Sequence, residues 1–358
     1  MTRKYINRRY LDAMQERVLV FDGATGTSIQ NMNLTADDFG GEQYNGCNDY
    51  LALVKPDAVE AVHRSFLEVG ADVIETDTFR SNPLTLKEYG LSEKTYDINF
   101  AAASIARKIA DEFSEKGPER FVAGSIGPSG KIISMSDPEL SNITFDELVY
   151  VMYGQAIGLV EGGVDFILIE TQQDILEVKA AVLGAQKAFE ESGIYLPIQT
   201  QVSLDTTGRM LLGTDIGAVL SILEGLPIDV IGMNCSTGPE HMREAISYLS
   251  ENSSLPISCI PNPGLPLNVD GEAVYPMKPV PFAEELYEFE FTARTRSGSP
   301  PVQMKTLGIS FVTCNLTFSA MLNDTKIGKD GECDFDKLDA ETEYCFENRL
   351  GNNDTVLE

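Results

Sequence analysis

Short apolar, β-branched runs alternate along the first 290 residues with longer stretches in which apolar positions recur at helical spacing. The runs predict seven strands, at 17–22, 71–79, 120–125, 164–171, 196–205, 228–235 and 255–261. The helical spacing predicts seven helices, at 57–69, 100–112, 145–160, 175–190, 215–223, 240–250 and 282–289. Seven strand-then-helix units with nearly continuous apolar strands favour a parallel sheet covered by helices.

Two architectures satisfy this pattern. A (β/α)8 TIM-type barrel takes about 250 residues and eight such units, which fits the length of the alternating region. An open, doubly wound sheet is the alternative. The first strand is not followed by the G-x-G-x-x-G sequence of dinucleotide-binding folds, so the barrel is the better prediction.

The alternation stops near residue 291, which divides the chain into three predicted parts. These are an N-terminal extension (1–16), the barrel (17–291) and a divergent acidic tail (292–358). Residues 292–301 have the composition of a linker, and 324–358 is acidic and weakly periodic, so part of the tail is expected to be disordered. The one strand-like run in the tail is 307–314. The eighth unit of the barrel is therefore incomplete, irregular or built from that run.

Composition excludes several classes of partner. The chain is 43% hydrophobic and 23% charged, as in ordinary globular proteins, and its net charge of −28 repels phosphate backbones and anionic lipid. Neither nucleic acid nor membrane is an expected partner, and no apolar run is long enough to span a bilayer. The basic N-terminus has no apolar core behind it, so a cytoplasmic location is expected.

The supply of metal-binding side chains is also limited. The chain contains two histidines, His63 and His241, and six cysteines without a C-x-x-C pair. The cysteines are expected to be reduced thiols, and any metal site must depend on sulfur or carboxylate ligands.

Polar residues follow the predicted strands one after another at their carboxyl ends, where barrel enzymes carry their active sites. They are Asp22, the stretch 76–79, Ser125, Glu170, Ser203 with Asp205, Asn234 with Cys235, and Asn262. Cys235 also precedes a helix start, where Ser236 or Thr237 can cap the helix and Pro239 suits its first turn. A thiol in that position favours metal ligation or nucleophilic chemistry, and a buried core thiol is the alternative.

These segments resemble the homocysteine S-methyltransferase family over about residues 17–289. Within it they are most similar to the homocysteine-binding module of cobalamin-dependent methionine synthase. The resemblance rests on six segments in the expected order: 21–27, 75–79, 124–128, 169–172, 232–241 and 261–266.

The resemblance implies a zinc ion held by three cysteines, with Cys235 as the first ligand. The other two are expected as an adjacent pair after the eighth strand, but this sequence has no adjacent cysteines. Cys314 is a speculative second ligand. By the same resemblance, six residues bind the amino-acid substrate: Asp22, Gly23, Thr78, Phe79, Glu170 and Asn234.

The expected function is therefore transfer of a methyl group to the thiol of homocysteine to form methionine. Methylcobalamin is the expected donor, carried by a separate module, because this chain lacks the Asp-x-His-x-x-Gly sequence that ligates cobalt and does not bind cobalamin itself. The alternative is an inactive or truncated barrel that only binds an amino acid, which leaves enzymatic activity undecided. A Schiff-base aldolase or another barrel enzyme is disfavoured, since none of the predicted strands carries the lysine that an aldolase needs.

Overall fold

The computed structural model describes residues 5–265, 267–269, 272–275, 277–286 and 304–307. The strands are β1 (Leu19–Val20), β2 (Val73–Glu75), β3 (Phe121–Ile126), β4 (Phe166–Gln172), β5 (Ile198–Val202), β6 (Val230–Asn234), β7 (Ile257–Ile260), β8 (Leu267–Val269), β9 (Glu272–Val274) and β10 (Met304–Leu307). The helices are α1 (Arg9–Glu16), α2 (Thr25–Gln30), α3 (Leu51–Val54), α4 (Pro56–Glu68), α5 (Pro83–Leu86), α6 (Thr95–Ser114), α7 (Phe145–Glu161), α8 (Ile175–Ser192), α9 (Ile216–Leu223), α10 (Pro239–Asn252) and α11 (279–286). The seven predicted strands and seven predicted helices are present at the predicted places, except that residues 287–289 of the last predicted helix lie outside the described residues.

Eight of the strands form one parallel sheet in the order β1-β10-β7-β6-β5-β4-β3-β2. A parallel bridge between Phe21 and Val73 joins its two ends. This closed order confirms the (β/α)8 barrel over the open sheet. β8 and β9 form a separate antiparallel hairpin.

The eighth unit is irregular. Its strand, β10, pairs with β1 at two positions, and its register against β7 shifts between Met304 and Thr306. The run 307–314 was one of the predicted alternatives for this strand, but the strand lies just ahead of that run and shares only Leu307 with it. Residues 308–358, which include the rest of that run and most of the predicted tail, lie outside the described residues.

Apolar side chains fill the barrel in two layers. Because successive residues of a strand point to opposite faces, one set packs against the helices and the other fills the barrel interior. Helix α1 packs across the end of the barrel opposite the cavity described below and belongs to the interior layer. Its Tyr10 ring stacks on Phe166, with centroids 3.8 Å apart, and its hydroxyl donates to Gln199 Oε1 at 2.5 Å.

Three aspartates reinforce the same end of the barrel. Asp72, Asp165 and Asp229 stand directly before β2, β4 and β6. Each accepts a main-chain N–H of the preceding strand at 2.8–2.9 Å; the donors are Val20, Val122 and Ile198. The N-terminal segment contacts all three carboxylates, through Arg17, Arg9 and Tyr5 respectively. Residues 5–17 are thus bound to three strands of the barrel.

No helix in the described part of the chain is long and apolar enough to cross a membrane.

Candidate active site

A cavity of about 430 Å3 opens at the carboxyl ends of the strands. Four of its lining side chains, Glu75, Ser125, Glu170 and Asn234, stand at or near the ends of β2, β3, β4 and β6. Each lies two or four residues after a residue whose side chain fills the barrel interior, namely Val73, Ala123, Leu168 or Val230. Because strand residues an even number of positions apart point to the same face, these four side chains also point inward. The loop 22–26 after β1 and Cys235 after β6 complete this part of the lining.

Glu170 lies in the centre of a hydrogen-bond network. Ser125 Oγ donates to Glu170 Oε1 at 2.5 Å, and Asn234 Nδ2 donates to Oε2 at 3.0 Å. Asn234 is itself fixed, because its Oδ1 accepts the Thr171 N–H at 2.7 Å. Burial raises the pKa of Glu170 to about 7, against the lowering effect of these hydrogen bonds. The carboxyl group is held in one orientation, and a cation bound next to it would favour its ionised form.

Asp22 and Glu75 bring two further carboxyl groups to the same place. Asp22 Oδ2 accepts the Glu75 N–H at 2.9 Å, while its buried Oδ1 has no hydrogen-bond partner among the described residues. Burial, together with the charge of Glu170, raises the pKa of both groups well above their usual values. Three neighbouring carboxyl groups with one free, buried oxygen favour a ligand that carries an ammonium group.

Cys235 lines the cavity from a strained turn. Cys235 and Ser236 have φ values of 57° and 66°, in the left-handed region that non-glycine residues rarely adopt. The Cys235 N–H donates to the Ile260 carbonyl at 3.0 Å, and Asn262 Nδ2 lies 3.8 Å from the sulfur. The turn therefore fixes the thiol at the junction of β6 and β7.

The predicted cap of the following helix is wrong. The residue before α10 is Gly238, with no side-chain cap, so neither Ser236 nor Thr237 caps it. Gly238 packs directly on Gly264, and a Cβ at position 238 would stand 2.6 Å from the Gly264 Cα. This close approach requires a glycine at position 238, directly before the helix, so the residue at the capping position carries no side chain. Pro239 does occupy the first turn, as predicted.

The loop after β2 forms another wall. Phe79 stands at the rim, 38% exposed, and its carbonyl accepts the Gly127 N–H at 3.1 Å. A Cβ at position 127 would lie 2.5 Å from that carbonyl oxygen, so only glycine leaves Phe79 in place. Thr78 is fully buried beneath the loop, outside the cavity lining, and its hydroxyl donates to the Ser125 carbonyl at 2.8 Å.

Comparison with known proteins identifies the family. The model of the homocysteine S-methyltransferase family matches residues 19–304. The chain belongs to that family. It is 39% identical over 310 residues to a methionine synthase of Mycobacterium leprae (strain TN), covering 85% of this chain and 25% of that protein. It is 41% identical over 279 residues to a methionine synthase of Mycobacterium tuberculosis (strain ATCC 25618 / H37Rv), covering 78% and 23%. The chain thus spans about a quarter of the length of these relatives.

Solved structures support the fold. The homocysteine methyltransferase MmuM from Escherichia coli, in its oxidized form, superposes with a TM-score of 0.67 at 19% identity, covering 88% of this chain and 99% of that one. Its metallated form gives a TM-score of 0.66 at 19% identity, covering 87% and 98%.

The family's expected substrate residues converge as a group. Asp22, Gly23, Phe79, Glu170 and Asn234 line one cavity together with Cys235, whereas Thr78 lies beneath it. The lining residues 23–26 include the start of α2, which begins at Thr25.

The sequence did not single out another acidic group of the cavity. Asp49 accepts the Arg80 N–H at 3.0 Å and the Ser81 hydroxyl at 2.7 Å, and burial raises its pKa. Burial and the charge of Asp49 raise the pKa of Asp77 well above its usual value, and Asp77 Oδ2 has no hydrogen-bond partner within the described ranges. Asp49 precedes α3 in a stretch without strand or helix periodicity, which gives no signal for its position.

A complete metal site is not present in the described part of the chain. No group of three or more His, Cys, Asp or Glu side chains there could hold a metal ion. Cys47 and Cys259 are buried and do not belong to the cavity lining, and Cys259 packs on Met242 as a core residue. Cys314 lies outside the described residues. The donors that the described residues place around Cys235 therefore do not by themselves complete a three-cysteine zinc centre.

Proposed function

We propose that this chain binds homocysteine in the cavity and presents its thiol for methylation, which forms methionine. The observation that carries the proposal is that three carboxyl groups and one thiol line the same cavity of about 430 Å3; they belong to Asp22, Glu75, Glu170 and Cys235. The same cavity thus holds carboxyl groups for the ammonium of an amino acid and a cysteine for a site that handles its thiol. The methionine synthase relatives support this substrate.

The ammonium and carboxylate of the ligand would bind the polar groups of the cavity. Its ammonium would donate to the free Oδ1 of Asp22 and to Glu170, whose ionised form the ligand's charge favours. Residues 23–26 line the same space, and their main-chain N–H groups would donate to the carboxylate, as successive backbone N–H groups do at anion sites. Phe79 would cover the aliphatic part of the ligand.

Zinc and methylcobalamin are part of the proposal only as expectations. Bound zinc would turn a homocysteine thiol into a thiolate, but the described residues supply just one of its expected ligands, Cys235. Methylcobalamin would be presented by another module. The length of the methionine synthase relatives, about four times the matched region, supports such a donor module.

Calorimetric titration with L-homocysteine tests the proposal. Glu170→Gln should weaken binding about 10- to 100-fold, since a hydrogen bond to a charged group contributes roughly 1.5–3 kcal/mol. Glu177→Gln is the matched control, because Glu177 is also buried, also bonded to a serine hydroxyl and also has a pKa raised to about 7, but lies outside the cavity. Equal affinities for the two variants would contradict the proposed site.

Activity is tested separately. Protein loaded with zinc, with the bound metal measured, should form methionine from homocysteine and methylcobalamin. Homocysteine binding without methionine formation in zinc-replete protein would instead support a barrel that only binds an amino acid.

A further inference from the structure

Two fully buried carboxamides lie beneath the cavity loop 76–82. Asn99 is on α6 and Gln155 is on α7, and both are 0% exposed. Gly158, one turn after Gln155, lets the two helices approach, since a Cβ there would stand 2.9 Å from the Asn99 Cβ. The close crossing places both carboxamides under the same loop.

Gln155 joins the loop after β2 to the end of β3. Its Nε2 donates to the Thr78 carbonyl at 2.6 Å and to the Ser125 carbonyl at 3.1 Å. Its Oε1 has no partner in the part of the chain that the structure describes. Gln155 therefore acts purely as a donor, and the reversed amide would set an oxygen against two carbonyl oxygens.

Asn99 repeats this arrangement at the far end of the loop. Its Nδ2 donates to the Ser81 carbonyl at 2.9 Å and to the Thr95 carbonyl at 2.7 Å, and its Oδ1 is likewise unpaired within the described residues. Together the two side chains hold the loop at both ends from below.

Both carbonyls that Gln155 binds belong to segments that contribute side chains to the cavity. Ser125 directs its hydroxyl to Glu170, and Thr78 directly precedes the rim residue Phe79. If the two carbonyls separate, the Ser125 hydroxyl and Phe79 move relative to Glu170. The affinity of the cavity for an amino acid then falls, although Gln155 never touches the ligand.

We propose that Gln155 is a positioning residue for amino-acid recognition, acting through the Thr78 and Ser125 carbonyls. This inference rests on the proposed function, in that homocysteine is the ligand whose binding reports the effect.

The test compares Gln155→Met with Gln199→Met. Gln199 is the matched control because it is also 0% exposed and also makes two hydrogen bonds, with the Tyr10 hydroxyl and Ser258 Oγ, but lies outside the cavity lining. Both variants should lose a similar amount of thermal stability. Gln155→Met should weaken homocysteine binding about tenfold, as expected for the loss of a polar interaction. Gln199→Met should leave the affinity within about twofold.

A Gln155→Met affinity equal to that of Gln199→Met would overturn the inference. Gln155→Glu provides a second variant of the same shape if the methionine variant does not fold. Its carboxyl group can donate only while protonated, so its affinity relative to the wild type should fall as pH rises, and a constant ratio would contradict the proposal. Failure of the wild type itself to bind homocysteine would instead refute the proposed function.

Discussion

Glu177 allows a direct test of how burial controls ionisation in this barrel. It lies in the first turn of α8, is 2% exposed, and accepts hydrogen bonds from the Ser129 hydroxyl and from the Ser129 N–H at 2.7 Å. Burial raises its pKa from 4.5 to about 7, because desolvation outweighs those hydrogen bonds. The folded protein therefore holds this proton more tightly than the unfolded chain does. Below pH 4.5 the group is protonated in both states, and between pH 4.5 and about 7 its ionisation lowers the free energy of unfolding.

Glu177→Gln removes this titration and keeps an oxygen acceptor for Ser129. At about 1.4 kcal/mol per pKa unit, the stability of the variant relative to the wild type should rise by about 3 kcal/mol between pH 4.5 and 7. Urea unfolding of both proteins at pH 5, 6, 7 and 8, followed by circular dichroism, measures that difference. Glu147→Gln is the control, because hydrogen bonds from Thr144 lower the pKa of the exposed Glu147 below its usual 4.5. Glu147 is then largely ionised in both states above pH 5, so its difference from the wild type should change little between pH 5 and 8. A Glu177→Gln difference that does not change with pH would refute the reasoning.

Two further predictions concern packing. Tyr10→Ala should lower the free energy of unfolding by about 3–5 kcal/mol in urea titrations, because the ring stacked on Phe166 leaves a cavity in the barrel interior; a loss below about 1 kcal/mol would mean that α1 contributes little to the barrel. Gly127→Ala should weaken homocysteine binding in calorimetry by displacing Phe79, whereas Gly154→Ala, with open space around its Cβ, should not. Equal affinity of the two glycine variants would contradict the role of Gly127.

The sequence predicts the strands and helices well wherever one side of an element is buried in a continuous apolar layer. β4 and α7 are examples, since a run of buried residues marks the strand and a capping box at Thr144 marks the helix start. Elements held by distant partners are harder to predict. Helix α1 has only eight residues, and it is its stacking on β4 that holds it in place. β10 is defined by its neighbours β1 and β7 more than by its own sequence.

The site also contains residues that the sequence predicts and one that it does not. Asp22, Glu170, Asn234 and Cys235 could be predicted together because the carboxyl ends of parallel strands meet at one end of a barrel. Thr78 could not be distinguished from its neighbours, because the backbone of an irregular loop decides which of several consecutive residues faces the cavity.

The carboxyl groups and the thiol of the cavity serve different ends of the proposed ligand, and this makes the proposed function separable by experiment. For the amino-acid end of the ligand, the described residues supply Glu170, which Ser125 and Asn234 hold, and Asp22, which lines the cavity and has one buried oxygen without a hydrogen-bond partner among those residues. For the sulfur end of the ligand, the described part of the chain supplies Cys235 but not the further thiolates that a zinc ion would need. Because ammonium recognition does not require the metal, homocysteine should bind metal-free protein through its amino-acid end. The additional affinity gained on adding zinc then measures the contribution of the sulfur end alone.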